Sequence, residues 1–190
     1  MNCLTEAIGM GLPGNGTIPA VMAARTRLAK TAGMKIMTLL KKKITARKIL
    51  TPEAFENAMA VDMALGCSTN TVLHLMAIAR EADVGLKLDM FNEVSEKIPH
   101  LCSLSPAGKY HVQDLNDAGG VGAVMKRLSR SGLIHRECIT VTGDAVEDNL
   151  KEVKFYLSKA AKVLRDKRLI QEAAGIEFIL SKVARDEDFY

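Results

Sequence analysis

Apolar residues recur every three or four positions along most of the chain, the spacing that places them on one face of an α-helix. After a short initial helix and a glycine-rich turn, the pattern predicts a long helix capped by Thr17. Its apolar face is Val21, Leu28, Ala32, Ile36, Leu39 and Leu40. Further helices are predicted over 52–65, 70–82, 89–98 and, as a pair split by a glycine turn, over 113–132.

Start signals support several of these helices. Thr51, Pro52 and Glu53 combine a hydroxyl cap, a proline at the first helical position and an acid at the positive end of the helix dipole. Asp89 and Asp144 are expected to cap the helices that follow them.

One segment, "CITVTG" at 138–143, has β-branched residues before a glycine turn and is the best strand candidate. The scarcity of aromatic residues (no Trp, three Tyr, five Phe) and the ten Met favour a helical interior. We therefore expect a mainly α fold with one or two short strands.

The character of the chain changes near residue 151. Residues 151–190 show two amphipathic helix patterns with charged residues between the apolar positions. We expect one unit over 1–150, followed by a two-helix tail that resembles no family and could form a hairpin or bind a partner.

The net charge of +4 is a mild excess, with one local run at Lys41, Lys42 and Lys43. Cations at a helix C-terminus complement its dipole, so a solvated helix end is expected there. A nucleic-acid surface is the alternative, but no aromatic residues interleave with the lysines, and we expect no nucleic-acid partner.

The four cysteines are far apart and form neither a CxxC motif nor a Cys/His pair at zinc spacing. They are Cys3, Cys67, Cys102 and Cys138. With no secretory signal, we expect reduced thiols and a cytoplasmic protein. No apolar run approaches the ~18 residues that span a membrane, so no membrane association is expected.

The stretch "GCSTNTVLHL" places Ser68, Thr69 and Asn70 at a helix entrance. Unpaired backbone N–H groups and the positive end of the dipole, with these side-chain donors, suit a carboxylate or a hydroxyl-bearing substrate. Alternatively, one of the three is simply the N-cap.

Asp62 falls on the apolar face of the helix over 52–65, where an unpaired acid is costly. It either bonds neighbouring backbone or a lysine, or is aimed at a site beside Ser68, Thr69 and Asn70.

The remaining polar motifs carry little chemistry by themselves. The glycines of "DAGGVGAV" do not form GxGxxG and follow no strong strand, so tight helix packing is expected there. The four histidines have no local triad or metal spacing and are expected to be satisfied polar residues.

Four long, ordered segments together resemble the dihydroxy-acid/6-phosphogluconate dehydratase family, in particular its dihydroxy-acid dehydratases. They are "MNCLTEAIGMGLPGNGT", "AFENAMAVDMALGCSTNTVLHL", "IPHLCSLSPAGKYHVQDLNDAGGVGAVMKRL" and "TVTG". The resemblance covers about residues 1–153. It implies that the chain is the helical part of an α/β N-terminal domain.

The resemblance also implies a hydro-lyase that converts a 2,3-dihydroxy acid to a 2-keto acid in branched-chain amino-acid biosynthesis. Such enzymes use an iron–sulfur cluster and magnesium, which polarise the leaving hydroxyl and hold the substrate carboxylate. By this likeness, Ser68, Thr69 and Asn70 line the substrate side of the site.

The family segments that supply cluster cysteines, magnesium ligands and a catalytic serine have no counterpart here. We therefore expect an internal fragment that by itself binds no cofactor, with no catalytic or metal-ligating residue assigned. A homodimer is expected. A sugar-acid or 6-phosphogluconate dehydratase, or a non-catalytic helical interaction fragment, are the alternatives.

Overall fold

A computed structural model describes residues 1–153, and over that range the chain is mainly helical, as predicted. Nine helices occur in this part of the chain. They are α1 (Asn2–Ala7), α2 (Ala23–Lys42), α3 (Ala46–Ile49), α4 (Pro52–Leu65), α5 (Asn70–Glu81), α6 (Asp89–Lys97), α7 (Val112–Asp117), α8 (Gly120–Arg130) and α9 (Val146–Lys151). All but three residues of the predicted two-helix tail at 151–190 lie outside the described range.

Helix α4 is the centre of the core. It packs against α1, α5, α6 and α8, and ten of its 14 residues are buried. Its start is as predicted, because the Thr51 hydroxyl accepts a hydrogen bond from the Ala54 N–H at 3.3 Å and Pro52 occupies the first turn. A helix buried on most sides needs the small and apolar residues that this segment supplies.

Helix α2 differs from the prediction in where it starts and what it buries. It begins at Ala23, not beside Thr17, and none of its residues is buried. Thr17 is 1% exposed and donates a hydrogen bond to Asn116 Oδ1 at 3.1 Å, so its hydroxyl cannot cap α2. Val21, placed on the predicted apolar face, precedes the helix and is 95% exposed.

A groove of about 650 Å³ separates α2 from the body of the molecule. Two lysines bridge the gap: Lys35 Nζ donates to the Thr142 carbonyl at 3.2 Å, and Lys42 Nζ donates to the Gly143 carbonyl at 2.8 Å. Helix α2 ends at Lys42 within the exposed lysine run, as expected of a solvated helix end.

The predicted strand at 138–143 is reduced to one antiparallel bridge between Ile139 and Ala145. Its threonines instead stabilise a tight loop. Thr140 Oγ1 lies 2.8 Å from Thr142 Oγ1, and Asn149 Nδ2 donates to Thr140 Oγ1 at 2.9 Å. The threonine hydroxyls bond each other, the loop backbone and Asn149 of α9, and so hold the segment in a turn instead of a strand.

Two predicted caps are also corrected. Asp89 is the first residue of α6, whose N-cap is Leu88, and the N-cap of α9 is Ala145 instead of Asp144. Asp144 instead pairs with Lys42 at 3.2 Å. No helix within residues 1–153 is long and apolar enough to cross a membrane.

Candidate functional site

The polar run of the sequence forms the short connection between α4 and α5. Helix α4 ends at Gly66, whose φ of 58° is left-handed and whose N–H bonds back into the last turn. The left-handed conformation favours glycine, and a Cβ at Gly66 would lie 2.7 Å from the His100 ring, which would have to move to admit it. This tight stop turns the following residues outward.

Ser68, Thr69 and Asn70 are all exposed, next to one another, at the start of α5. Ser68 Oγ accepts a hydrogen bond from the Asn70 N–H at 3.3 Å, while Thr69, the N-cap, makes no side-chain cap bond. The capping interpretation therefore accounts for Ser68 only. Within the described residues, the side chains of Thr69 and Asn70 remain available to a ligand.

Asp62 lies directly behind this run. It is 6% exposed, and its Oδ2 accepts a hydrogen bond from the Thr71 hydroxyl at 2.7 Å. Its Oδ1 is buried and has no hydrogen-bond partner among residues 1–153. Desolvation by burial raises the pKa of the Asp62 carboxyl, against the lowering effect of the Thr71 hydrogen bond.

Neither sequence interpretation of Asp62 fits fully. Its partner is a side-chain hydroxyl from α5, not a lysine or neighbouring backbone. Thr71 was not singled out from the sequence. The spacing could have indicated this pair. Asp62 lies near the end of α4 and Thr71 lies in the first turn of α5, so the two side chains meet across the four-residue turn between the helices.

Cys67 lies beside the same carboxyl. Although the residue is exposed, desolvation of its sulfur raises the pKa of the Cys67 thiol to about 12, and the Asp62 carboxyl adds to the rise when it is ionised. Burial also raises the pKa of Cys102 and Cys138, each to about 11, and that of Cys3. All four cysteines therefore favour the thiol form over the thiolate that binds metals.

The described residues do not fit an iron–sulfur cluster or a magnesium ion by themselves. Among residues 1–153, no three His, Cys, Asp or Glu side chains are grouped closely enough to hold a metal ion. A cluster needs several thiolates at one point, whereas the raised pKa values of the four cysteines favour the thiol form.

A second buried acid, Glu6, was not singled out from the sequence. Its Oε1 accepts from the Gly14 N–H at 3.0 Å, and its Oε2 accepts from the Gly16 N–H at 2.7 Å. The carboxylate thus fixes the turn after α1. Desolvation nevertheless raises its pKa, with the two backbone hydrogen bonds and the charge of Arg25 acting the other way.

The histidines make separate contacts. His135 Nε2 is 2.6 Å from Glu56 Oε2, and the Asn57 side chain bonds both the N–H and the carbonyl of His135. His100 Nε2 is 3.4 Å from Ser103 Oγ, and His74 is exposed on α5. For His135 and His100, the expectation of satisfied polar residues is confirmed.

The expected packing role of the glycines holds at two positions. A Cβ on Gly120 would lie 2.8 Å from Thr17 Oγ1, and one on Gly122 would lie 2.8 Å from Val153 Cγ2. These glycines therefore allow α8 to approach its neighbours closely.

The mainly helical fold of residues 1–153 is what the resemblance implied. Residues 1–149 match the family described as dihydroxy-acid/6-phosphogluconate dehydratase, N-terminal. The chain belongs to this family.

The chain is also similar to proteins named dihydroxy-acid dehydratase. It is 64% identical over 187 residues to the one from Desulfosudis oleivorans and 53% identical over 186 residues to the one from Caldanaerobacter subterraneus, in each case over 98% of this chain. Over 154 residues it is 63% identical to the one from Acetivibrio thermocellus. The first two alignments include nearly all of 151–190, which the sequence pattern alone assigned to no family.

The chain spans about a third of the length of these relatives: 33% of the first two and 28% of the third. The activity that their names give is an activity of those longer proteins.

Proposed function

We propose that this chain forms the helical N-terminal part of a dihydroxy-acid dehydratase, a hydro-lyase that converts a 2,3-dihydroxy acid to a 2-keto acid and water. The observation that carries the proposal is its identity of up to 64% to proteins of that name. By family likeness, the reaction belongs to branched-chain amino-acid biosynthesis.

In the proposed site, the connection from Ser68 to Asn70 binds the substrate. Thr69 and Asn70 offer exposed hydroxyl and amide donors, and the start of α5 adds the positive partial charge of the helix dipole. These groups suit the carboxylate and hydroxyls of a dihydroxy acid. Elimination removes the proton from C2 and the hydroxyl from C3, and the enol becomes the keto acid. No described residue is assigned as the base.

The family's iron–sulfur cluster and magnesium would supply Lewis-acid chemistry at the leaving hydroxyl. Since residues 1–153 do not fit either group, we propose that both are held by parts of a full-length enzyme outside this third. The chain alone is then inactive, binds no cofactor and contributes no catalytic or metal-ligating residue.

We further propose that the chain works in the cytoplasm as a homodimer, with no nucleic-acid or membrane partner. Four free thiols support a reducing compartment. Exposed apolar side chains on α2, among them Met34, Ile36 and Leu40, support association with another surface. Sedimentation at increasing concentration tests the dimer; a monomer at every concentration would contradict it.

A chimera tests the function. The aligned third of the Desulfosudis oleivorans relative is replaced by this chain, and the product is assayed with 2,3-dihydroxyisovalerate, a sugar acid and 6-phosphogluconate. The proposal predicts 2-keto acid from the dihydroxy acid, and none from this chain alone supplied with iron, sulfide and magnesium. Preference for a sugar acid or 6-phosphogluconate would reassign the substrate. Turnover by the isolated chain would contradict the placement of the cofactors.

A further inference from the structure

Asp62 combines deep burial with incomplete hydrogen bonding. Only 6% of the residue is exposed, and the helix around it is packed with Ala58, Val61 and Leu65. One carboxyl oxygen has no partner among the described residues. An ionised carboxylate in such a place is costly, whereas a neutral acid leaves only an unpaired C=O, which proteins tolerate better.

The Thr71 hydroxyl has one hydrogen but lies near two acceptor oxygens. Thr71 is 1% exposed, and its Oγ1 lies within hydrogen-bond distance of two acceptors, Asp62 Oδ2 and the Ser68 carbonyl oxygen. A hydroxyl carries one hydrogen and donates one bond. If Asp62 is ionised, one of these two close oxygen–oxygen contacts has no hydrogen. A proton on Asp62 Oδ2 supplies it.

We propose that Asp62 is a protonated positioning residue: its O–H donates to Thr71 Oγ1, and the Thr71 O–H donates to the Ser68 carbonyl. This two-bond relay joins the end of α4 to the polar connection at Ser68. It fixes the backbone that presents Ser68, Thr69 and Asn70. That these residues face a substrate depends on the proposed function, whereas the relay itself does not.

The electrostatic surroundings agree with a proton on Asp62. Desolvation has the largest effect on the Asp62 carboxyl and raises its pKa. The Thr71 hydroxyl, the Cys67 thiol and the α-amino group at Met1 lower the pKa by less. Cys3, on α1, acts on Cys67 and carries no charge as a thiol. The net effect is a pKa of Asp62 above its ordinary value.

The protonation is tested by carbon NMR on the whole chain, labelled at the aspartate carboxyl carbons. The peak lost in Asp62→Asn identifies Asp62. Its titration midpoint is expected clearly above that of an ordinary aspartate, about 3.9, and the amide peaks of Ser68, Thr69 and Asn70 should shift at the same midpoint. In Asp62→Asn, whose amide is a permanent donor, those peaks should not move over this range. A midpoint at or below 3.9 would overturn the proposal.

The positioning role is tested by the rate at which Cys67 is alkylated at fixed pH, read from its peptide by mass spectrometry. Thr71→Val removes both bonds, and the loosened loop should react at least about fivefold faster, since about fivefold corresponds to the loss of a single hydrogen bond. Thr71→Ser, which keeps the hydroxyl, should restore the wild-type rate.

Thr17→Val is the matched control, because Thr17 is equally buried and donates one side-chain hydrogen bond far along the sequence. It should lower stability without changing the alkylation of Cys67. Equal acceleration in Thr71→Val and Thr17→Val, or none in Thr71→Val, would overturn the positioning role. If the relay is found but the chimera is inert, the proposed function fails and the relay stands.

Discussion

At the scale of single residues, the chain buries two acids. Glu6 fixes the turn after α1 through two backbone N–H groups, and Asp62 fixes the connection after α4 through Thr71. Both pKa values are raised, chiefly by burial. Sequence reasoning found Asp62 because it interrupts an apolar face, but it missed Glu6, whose N–H partners lie in a glycine turn with no periodic pattern.

The raised pKa values predict how stability depends on pH. A carboxyl whose pKa is higher in the folded than in the unfolded chain contributes stability that is full below the unfolded value. That contribution is lost as the pH rises through the folded value. For Glu6 and Asp62 the free energy of unfolding should therefore fall as the pH rises above about 4. Urea unfolding across this range should show a smaller fall in Glu6→Gln and in Asp62→Asn.

A free energy of unfolding that falls more steeply with pH in those two variants than in the wild-type chain would contradict burial as the cause of the raised pKa values. Glu53 and Asp148 are exposed and have lowered pKa values, so they oppose this trend weakly.

Asn57 supports a second residue-scale prediction. It is 1% exposed, and its side chain bonds the His135 N–H at 2.8 Å and the His135 carbonyl at 2.9 Å. Asn57→Ala leaves both backbone groups unpaired and should cost about 2–4 kcal/mol in the free energy of unfolding. The adjacent, half-exposed Glu56→Gln should cost less than about 1 kcal/mol. Similar costs for the two variants, measured by urea unfolding, would contradict this assignment.

At the scale of elements, local signals predicted the helices well and their surroundings poorly. The cap at Thr51 gave the start of α4 from the sequence alone, and the predicted end at residue 65 agrees with the structure. The apolar spacing of α2 is as regular, yet the helix buries nothing in this part of the chain. Periodicity shows that a helix has an apolar face, but not that a partner covers it. The "CITVTG" loop shows the same limit for β-branched residues, since the hydroxyls of its two threonines bond nearby groups and hold a turn.

The contrast between α4 and α2 can be measured. Phe55 is fully buried in α4, so Phe55→Ala should cost about 3–5 kcal/mol in the free energy of unfolding. Ile36 in α2 is 61% exposed, so Ile36→Ala should change it by less than about 0.5 kcal/mol. A large cost for Ile36→Ala would show that α2 is covered by a contact not made within residues 1–153.

At the scale of the whole molecule, the chain spans about a third of the length of the dehydratase relatives that it matches, and the proposed site is correspondingly partial. The family was recognised from ordered sequence segments, and the family match confirms it. The substrate-facing role of Ser68, Thr69 and Asn70 stays a prediction. Metal ligation could not be judged from spacing alone, because it depends on which side chains meet in space. The structure shows that those of residues 1–153 do not meet in a metal-binding group.

The central claim is that Ser68, Thr69 and Asn70 bind the substrate of a dehydratase completed by other parts of the polypeptide. The most direct measurement is the KM of the chimera for 2,3-dihydroxyisovalerate with Asn70→Ala, compared with the exposed α5 control Leu73→Ala. Loss of a hydrogen bond to a charged ligand predicts a KM raised about tenfold or more for Asn70→Ala, and an unchanged KM for Leu73→Ala. An unchanged KM for Asn70→Ala, Thr69→Ala and Ser68→Ala alike would contradict the account.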